Sequence, residues 1–297
     1  MSHRQKDNVM TTWNWIIAST VLALLGACGA PDRSVAPEDG GSAGGSGAGC
    51  DNCDPRLEQC FNNQFCVAKL MQVTGGYSID ATEVTRSQYA AWLATTPPLT
   101  QDPWCSWNTA YAADGTCMGL PQVCQTNCDD QPQVCVDWCD AYAYCKGVGK
   151  RLCGKIGGGS VGYTAGCDNA SVDQWYNACS SGAANNMYPY GTPYDGQACN
   201  GTNYTVTGCA TGSCTTVEAG SLSGCESSMS GYTGVYDLSG NVWEWEDSCS
   251  NSTGQNDSCC VRGGSFEDSS NKLRCTCSNS NTRFVTYYAI GLRCCGP

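Results

Sequence analysis

The sequence predicts a disulfide-rich α+β domain, and three observations carry that expectation. There are 26 cysteines in 297 residues, a density that only an oxidising compartment keeps as bridges. Helical runs follow capping signals at Thr85 and Ser171, and a third run over 137–146 follows helical spacing. Between them lie alternating stretches that read as strand, and long Gly-, Pro-, Asn- and Asp-rich segments without any period.

Residues 1–27 carry Arg4 and Lys6, then a mostly apolar run from Trp13 to Leu25. Positive charge, a short apolar core and small residues after it make an export signal, too short to span a membrane comfortably. Leu25-Gly-Ala-Cys28 is similar to a bacterial lipobox, which would make Cys28 the lipid-modified first residue. An ordinary secretory signal, with Cys28 incidental, is the alternative. Gly29 points to the outer membrane, so the expected location is the cell envelope. Contact with the membrane is expected only through the lipid anchor.

Residues 28–49 are Gly, Ser, Ala and Pro with few charges, the composition of a flexible tether. Residues 50–70 hold Cys50, Cys53, Cys60 and Cys66, expected to form a small disulfide knot. A lone C-x-x-C with no second one does not complete a zinc site. The main domain is expected over 71–297.

Composition excludes several chemistries. Removing Arg4, Lys6 and Asp7 with the signal leaves 13 basic against 26 acidic residues, which argues against nucleic acid as a partner. The single histidine, His3, lies in the signal. A Ser-His-Asp triad, a zinc hydrolase site and a facial iron triad are therefore excluded. Setting Cys28 aside leaves 25 cysteines, so at least one thiol is free, modified or intermolecular.

Within the main domain, residues 77–85 read as a strand running into a helix, with Thr85-Arg-Ser-Gln88 as its capping box. Tyr89, Trp92 and Leu93 share one face. Glu83 reads as a buried structural pairing. Residues 97–132 look like a disulfide-stapled surface loop, and 137–146 follow helical spacing. Residues 153–170, with the glycine run 157–159, read as a loop with its own bridge; no Gly-Lys-Ser/Thr accompanies the glycines, so they are no phosphate loop. Ser171-Val-Asp-Gln174 reads as the next capping box.

The stretch 231–293 is the most informative. Asn241-Val-Trp-Glu-Trp245 sets two large aromatics around one carboxylate, and Gly240 permits a tight entry to it. Such a carboxylate is either hydrogen-bonded inside or bound to a cation. Val261-Arg-Gly-Gly-Ser-Phe266, Leu273-Arg-Cys275 and Ile290-Gly-Leu-Arg-Cys294 follow in order. Together with Ile79-Asp80, Glu83-Val-Thr85 and Gly149-Lys-Arg-Leu152, these runs resemble the formylglycine-generating enzyme (sulfatase-modifying factor) family over residues 75–294.

The resemblance implies a fold related to C-type lectin-like domains, with little regular secondary structure. It also implies disulfides Cys145–Cys294 and Cys179–Cys275. Calcium is implied at Asn200 and Gly201, and at Ser239, Gly240, Val242 and Glu244. Trp245 and Ser265 match pocket residues, and Asp268 stands where the first copper thiolate would be. The interval 266–273 contains no cysteine, so copper is not expected. Three readings follow. One is a non-catalytic, calcium-stabilised binding module for a peptide, protein or carbohydrate in a surface cleft. The second is a formylglycine-generating oxidase with relocated thiols, for which Cys277, Cys259 and Cys260 are the candidates. The third is a structural cell-surface lipoprotein.

Overall fold

A computed structural model describes residues 49–164, 167–204 and 215–297. The leader, Cys28, Cys209 and Cys214 lie outside the described residues. The first described elements are an antiparallel hairpin, β1 (Glu58–Phe61) and β2 (Phe65–Ala68), closed by Cys50–Cys60 and Cys53–Cys66. Glu58 sits beside Cys53 and Cys66, but those sulfurs are bonded to each other and offer a metal no thiolate. The hairpin is not separate from the main body. Phe65 and Val67 enter the same apolar cluster as Tyr89, Trp92, Trp138 and Trp245, and Glu58 accepts from the Gln88 amide at 2.9 Å.

Two four-stranded sheets follow. The first has the order β3 (Leu70–Val73), β4 (Tyr77–Asp80), β10 (Cys294–Gly296) and β5 (Arg151–Leu152). The second has the order β8 (Asn279–Thr282), β7 (Ser258–Arg262), β6 (Trp243–Cys249) and β9 (Ile290–Leu292). Within it β6 and β9 run parallel, which brings the Trp-Glu-Trp and Ile-Gly-Leu-Arg runs side by side.

Among the described residues four short α-helices are held by their caps. In α1 (Arg86–Ala94) the Thr85 hydroxyl accepts from Gln88 N and the Gln88 side chain accepts from Thr85 N, the reciprocal box read from the sequence. A one-turn helix α2 (Gly115–Met118) lies in the stapled loop. Asp137 and Asp140 form the same reciprocal arrangement at the start of α3 (Trp138–Gly147). The fourth helix, α4 (Gln174–Ser180), corrects the expectation at Ser171. Its cap is Asp173, whose carboxylate accepts from Tyr176 N at 2.9 Å, while Ser171 N bonds Asn169 in a turn before it. Asp173 wins because it is fully buried and also faces a guanidinium.

Ten disulfides staple the described residues. Cys105–Cys139, Cys117–Cys135 and Cys124–Cys128 hold the loop 97–132 and its continuation. Cys145 joins Cys294 and Cys179 joins Cys275. The expectation that 153–170 carries its own bridge is overturned. Cys153 pairs with Cys295, because β5 and β10 are hydrogen-bonded neighbours, and Cys167 is a free thiol.

Candidate functional site

Strand β6 alternates, and its two faces have different chemistry. Trp243 and Trp245 belong to the larger apolar cluster, whereas Glu244 and Glu246 face the opposite way, each toward a buried arginine. Glu244 meets Arg293 from β9's end: Arg293 Nε lies 3.0 Å from both carboxylate oxygens and Nη2 lies 2.8 Å from Oε1. Trp175 Nε1 donates to Oε2 at 2.7 Å. Arg293 spends its other donors on the carbonyls of Asp80 and Tyr236. Burial opposes its charge, but Glu244 outweighs that and the guanidinium is held above its ordinary pKa.

This geometry answers the calcium expectation at Glu244. Each carboxylate oxygen already accepts two bonds, which fills its lone-pair positions. A dication there would have to displace the guanidinium, so the residues present do not fit calcium at Glu244. The neighbouring expected ligands, whose backbone carbonyls the resemblance assigns to calcium, lie in a tight turn. Gly240 (φ +76°) would place a Cβ 2.2 Å from Asn200 O, which explains the glycine. Gly240 N donates to Gly263 O, the Ser239 hydroxyl donates to Leu273 O, and Val242 is fully buried. At Asn200, by contrast, Nδ2 donates to Asn241 and Thr215 while buried Oδ1 has no donor. That single oxygen fits a hard cation. Gly201, beside it, is buried and donates its N–H to Cys199 O.

Glu83 is buried and its Oε1 accepts from Asn241 Nδ2 at 3.0 Å. Its other oxygen and Asp237 Oδ1 lack hydrogen-bond donors, and the two carboxyls face each other. Burial, then the Asp237 charge, lifts Glu83 well above the usual carboxylate range, so one proton is shared between them. Asp237 was missed in the sequence because nothing local marks it; only the fold sets it against Glu83.

The three expected pocket residues have different local settings. The Trp245 ring is fully buried and its Nε1 donates to Val136 O at 3.1 Å. Ser265 and Asp268 close a turn on each other, Ser265 Oγ and N donating to Asp268 Oδ2 at 2.8 and 3.0 Å. Asp268, expected from the resemblance at the first copper-thiolate position, is thus a turn residue.

The family model for the sulfatase-modifying factor enzyme 1-like domain matches residues 52–296. The chain belongs to that family. No curated protein matches the sequence. Among solved structures, CarF is similar at 20% identity, with 81% of this chain and 96% of that one covered and a TM-score of 0.49. PvdO from Pseudomonas aeruginosa is similar at 18% identity, covering 82% and 98%, with a TM-score of 0.48. Treponema denticola variable protein 1 gives 16%, 80% and 98%, with a TM-score of 0.46.

The relocated-thiol candidates separate clearly in this family member. Cys259 is bonded to Cys249. Cys260 and Cys277 are free thiols with their sulfurs 3.0 Å apart, and Cys167 is free nearby. They border the second buried arginine. Arg262 donates to Glu246, Asp173, Asp168 and the carbonyl of Cys167. Asp168 Oδ1 also accepts from Cys277 N at 2.7 Å. In the sequence the odd cysteine count and the spacing of Cys277 from Cys275 were the only signals of this cluster.

Proposed function

We propose that this protein is an exported, lipid-anchored member of the sulfatase-modifying factor family that binds a ligand and does not oxidise cysteine to formylglycine by the family route. The observation that supports this best is the turn at Ser265–Asp268. The copper-thiolate interval 266–273 has no cysteine, and Asp268 is committed to Ser265. A carboxylate so placed offers copper(I) a hard oxygen where it needs a soft thiolate.

The ligand cleft in this reading lies away from Trp245. A groove of about 460 Å³ runs beside α1, with Tyr89, Ala90, Leu93 and Met118 as apolar wall and Arg86 and Asp129 as charged flanks. Mixed apolar and charged walls of this size suit a segment of peptide or protein. The disulfide-stapled loop forms its far side, in the manner of the loops that C-type lectin-like domains present. Calcium is kept in this reading only at Asn200–Gly201, carried by the unpaired Asn200 oxygen.

The test is mass spectrometry of a Cys-x-Pro-x-Arg peptide incubated with the oxidised protein, copper(I) and oxygen. The peptide is expected to keep its cysteine, and conversion to formylglycine would overturn the proposal in favour of the relocated-thiol oxidase. That alternative draws on the Cys260–Cys277 contact. The structural-lipoprotein alternative draws on the buried Trp245 ring, and the groove beside α1 weighs against it.

A further inference from the structure

The thiols Cys260 and Cys277 belong neither to the binding groove nor to the expected copper positions. Cys260 lies on β7, between Cys259 and Val261, and its strand partner in β8 is Ser280. Cys277 lies three residues before Ser280 and just ahead of β8, outside the ladder, where the chain brings its sulfur against Cys260. The two sulfurs are 3.0 Å apart, about 1 Å beyond the covalent S–S length of about 2.05 Å. A zinc ion bound tetrahedrally, at about 2.3 Å from each sulfur, would hold the pair near 3.8 Å apart. Linear thiolate ligation of copper(I) would spread it further. The spacing thus suits a bond between the sulfurs better than a metal between them.

The third thiol is tied to the same place. Cys167 is held through its carbonyl by Arg262, and the next residue, Asp168, is bridged to both Arg262 and the Cys277 amide. Cys167 and Cys277 are half-exposed while Cys260 is buried. The Ser248 hydroxyl donates to Cys260 Sγ at 3.5 Å, and Arg262 adds a positive field. The Cys277 contact is the largest influence lowering Cys260, and with these two it outweighs burial and Glu246, so Cys260 is the better leaving sulfur and the more exposed Cys277 the sulfur open to attack.

We propose that Cys260, Cys277 and Cys167 form a thiol–disulfide exchange centre, in which Cys277 is bonded to Cys260 and can be passed to Cys167. Closure consumes an external disulfide: the two thiols and RSSR give the Cys260–Cys277 bond and two RSH. In the internal step the Cys167 thiolate attacks Cys277 Sγ, the Cys167–Cys277 bond forms, and Cys260 leaves as the thiolate. That step conserves electrons and needs no further reactant. Cys167 enters as thiolate only in a minority at neutral pH, since burial pushes it up to about 11, which makes the exchange slow and favoured by alkaline conditions.

The experiment is disulfide mapping of the purified full chain by non-reducing peptide mass spectrometry, across a series of glutathione buffers quenched with N-ethylmaleimide under denaturing conditions. The expected result is a Cys260–Cys277 linkage in the oxidised protein that opens while the core bridges Cys145–Cys294 and Cys179–Cys275 stay closed. A Cys167–Cys277 linkage should appear as a minor species that grows with pH. Cys167→Ser should abolish that species and leave Cys260–Cys277 in place. Three free thiols in fully oxidising buffer would overturn the proposal, as would a Cys260–Cys277 bond that opens only together with the core bridges. Recovery of a metal ion that protects the thiols from the maleimide would overturn it too. The linkage results leave the peptide assay and the groove untouched, and a recovered metal would be told apart by that assay: conversion of the peptide overturns the proposed function, whereas metal without conversion overturns only the exchange centre.

Discussion

Two arginines flank β6 from opposite sides in one sheet, Arg262 at the end of β7 and Arg293 just past β9, both without solvent exposure, and their surroundings differ. Arg293 faces one carboxylate, Glu244, and otherwise donates to carbonyls. Arg262 faces three carboxylates, Glu246, Asp173 and Asp168, of which Asp168 is partly exposed. Around Arg293 a single carboxylate is hydrogen-bonded, Glu83 and Asp237 act only at longer range, and the donors are saturated, which makes a sealed joint between β6, β9, α4 and the first sheet. Around Arg262 negative charge is in excess, and burial raises both Glu246 and Asp173, which hydrogen-bond each other and share a proton. One cluster fixes the fold; the other ends at the surface beside reactive sulfurs. A buried ion pair alone therefore says little about function, and what lies at its open end says more.

The sharpest way to break this comparison is Arg293→Met, which strands Glu244 in the core. The expected loss is about 3–5 kcal/mol, read as a lowered urea midpoint or as failure to accumulate folded protein. Near-wild-type stability would mean that Glu244 takes another cation when the guanidinium is removed, and would reopen the calcium question there.

A second effect, smaller, comes from pH. Burial lifts Asp237 to about 6, against an unfolded value of about 3.9. Between those values the folded chain holds a proton that the unfolded chain releases. This contribution is full below about pH 4 and is lost as pH rises through about 6, on the order of 3 kcal/mol. Urea titrations of wild type and Asp237→Asn from pH 4 to 7.5 check it. The variant should show the flatter profile, and identical slopes would remove Asp237 from the account.

The smallest effect belongs to Asp168→Asn. This carboxylate is partly solvated and two others remain on Arg262, so the expected loss is below about 1 kcal/mol. A loss above about 2 kcal/mol in the same titration would make the two arginine clusters alike and undo the contrast.

Much of the frame is legible in local sequence because its determinants are local. The reciprocal caps at Thr85 and Asp137 need only residues three apart, and both helices begin where those residues put them. The start of α4 was misread for the opposite reason. Ser171 has the right local pattern, but Asp173 gains from Arg262, which is 89 residues away. The Trp-Glu-Trp run correctly announced a carboxylate that must be satisfied inside. Whether by ion, amide or guanidinium depended on β9 lying parallel to β6, which no spacing reveals. The placing of the expected pocket residues was equally hidden. Trp245 and Ser265 are family positions, and only the side-chain alternation of β6 decides that this tryptophan points into the core.

Strand β10 has a consequence for the order in which the molecule can be assembled. It is an interior strand of its sheet, between β4 and β5, and its Cys294 and Cys295 are the partners of Cys145 and Cys153. Those partners precede them by 149 and 142 residues. As the chain is made, Cys145 and Cys153 must wait as thiols, surrounded by other cysteines, until almost every other described residue exists. The last strand acts as a keystone, and any oxidising catalyst that works too early would close the wrong arches.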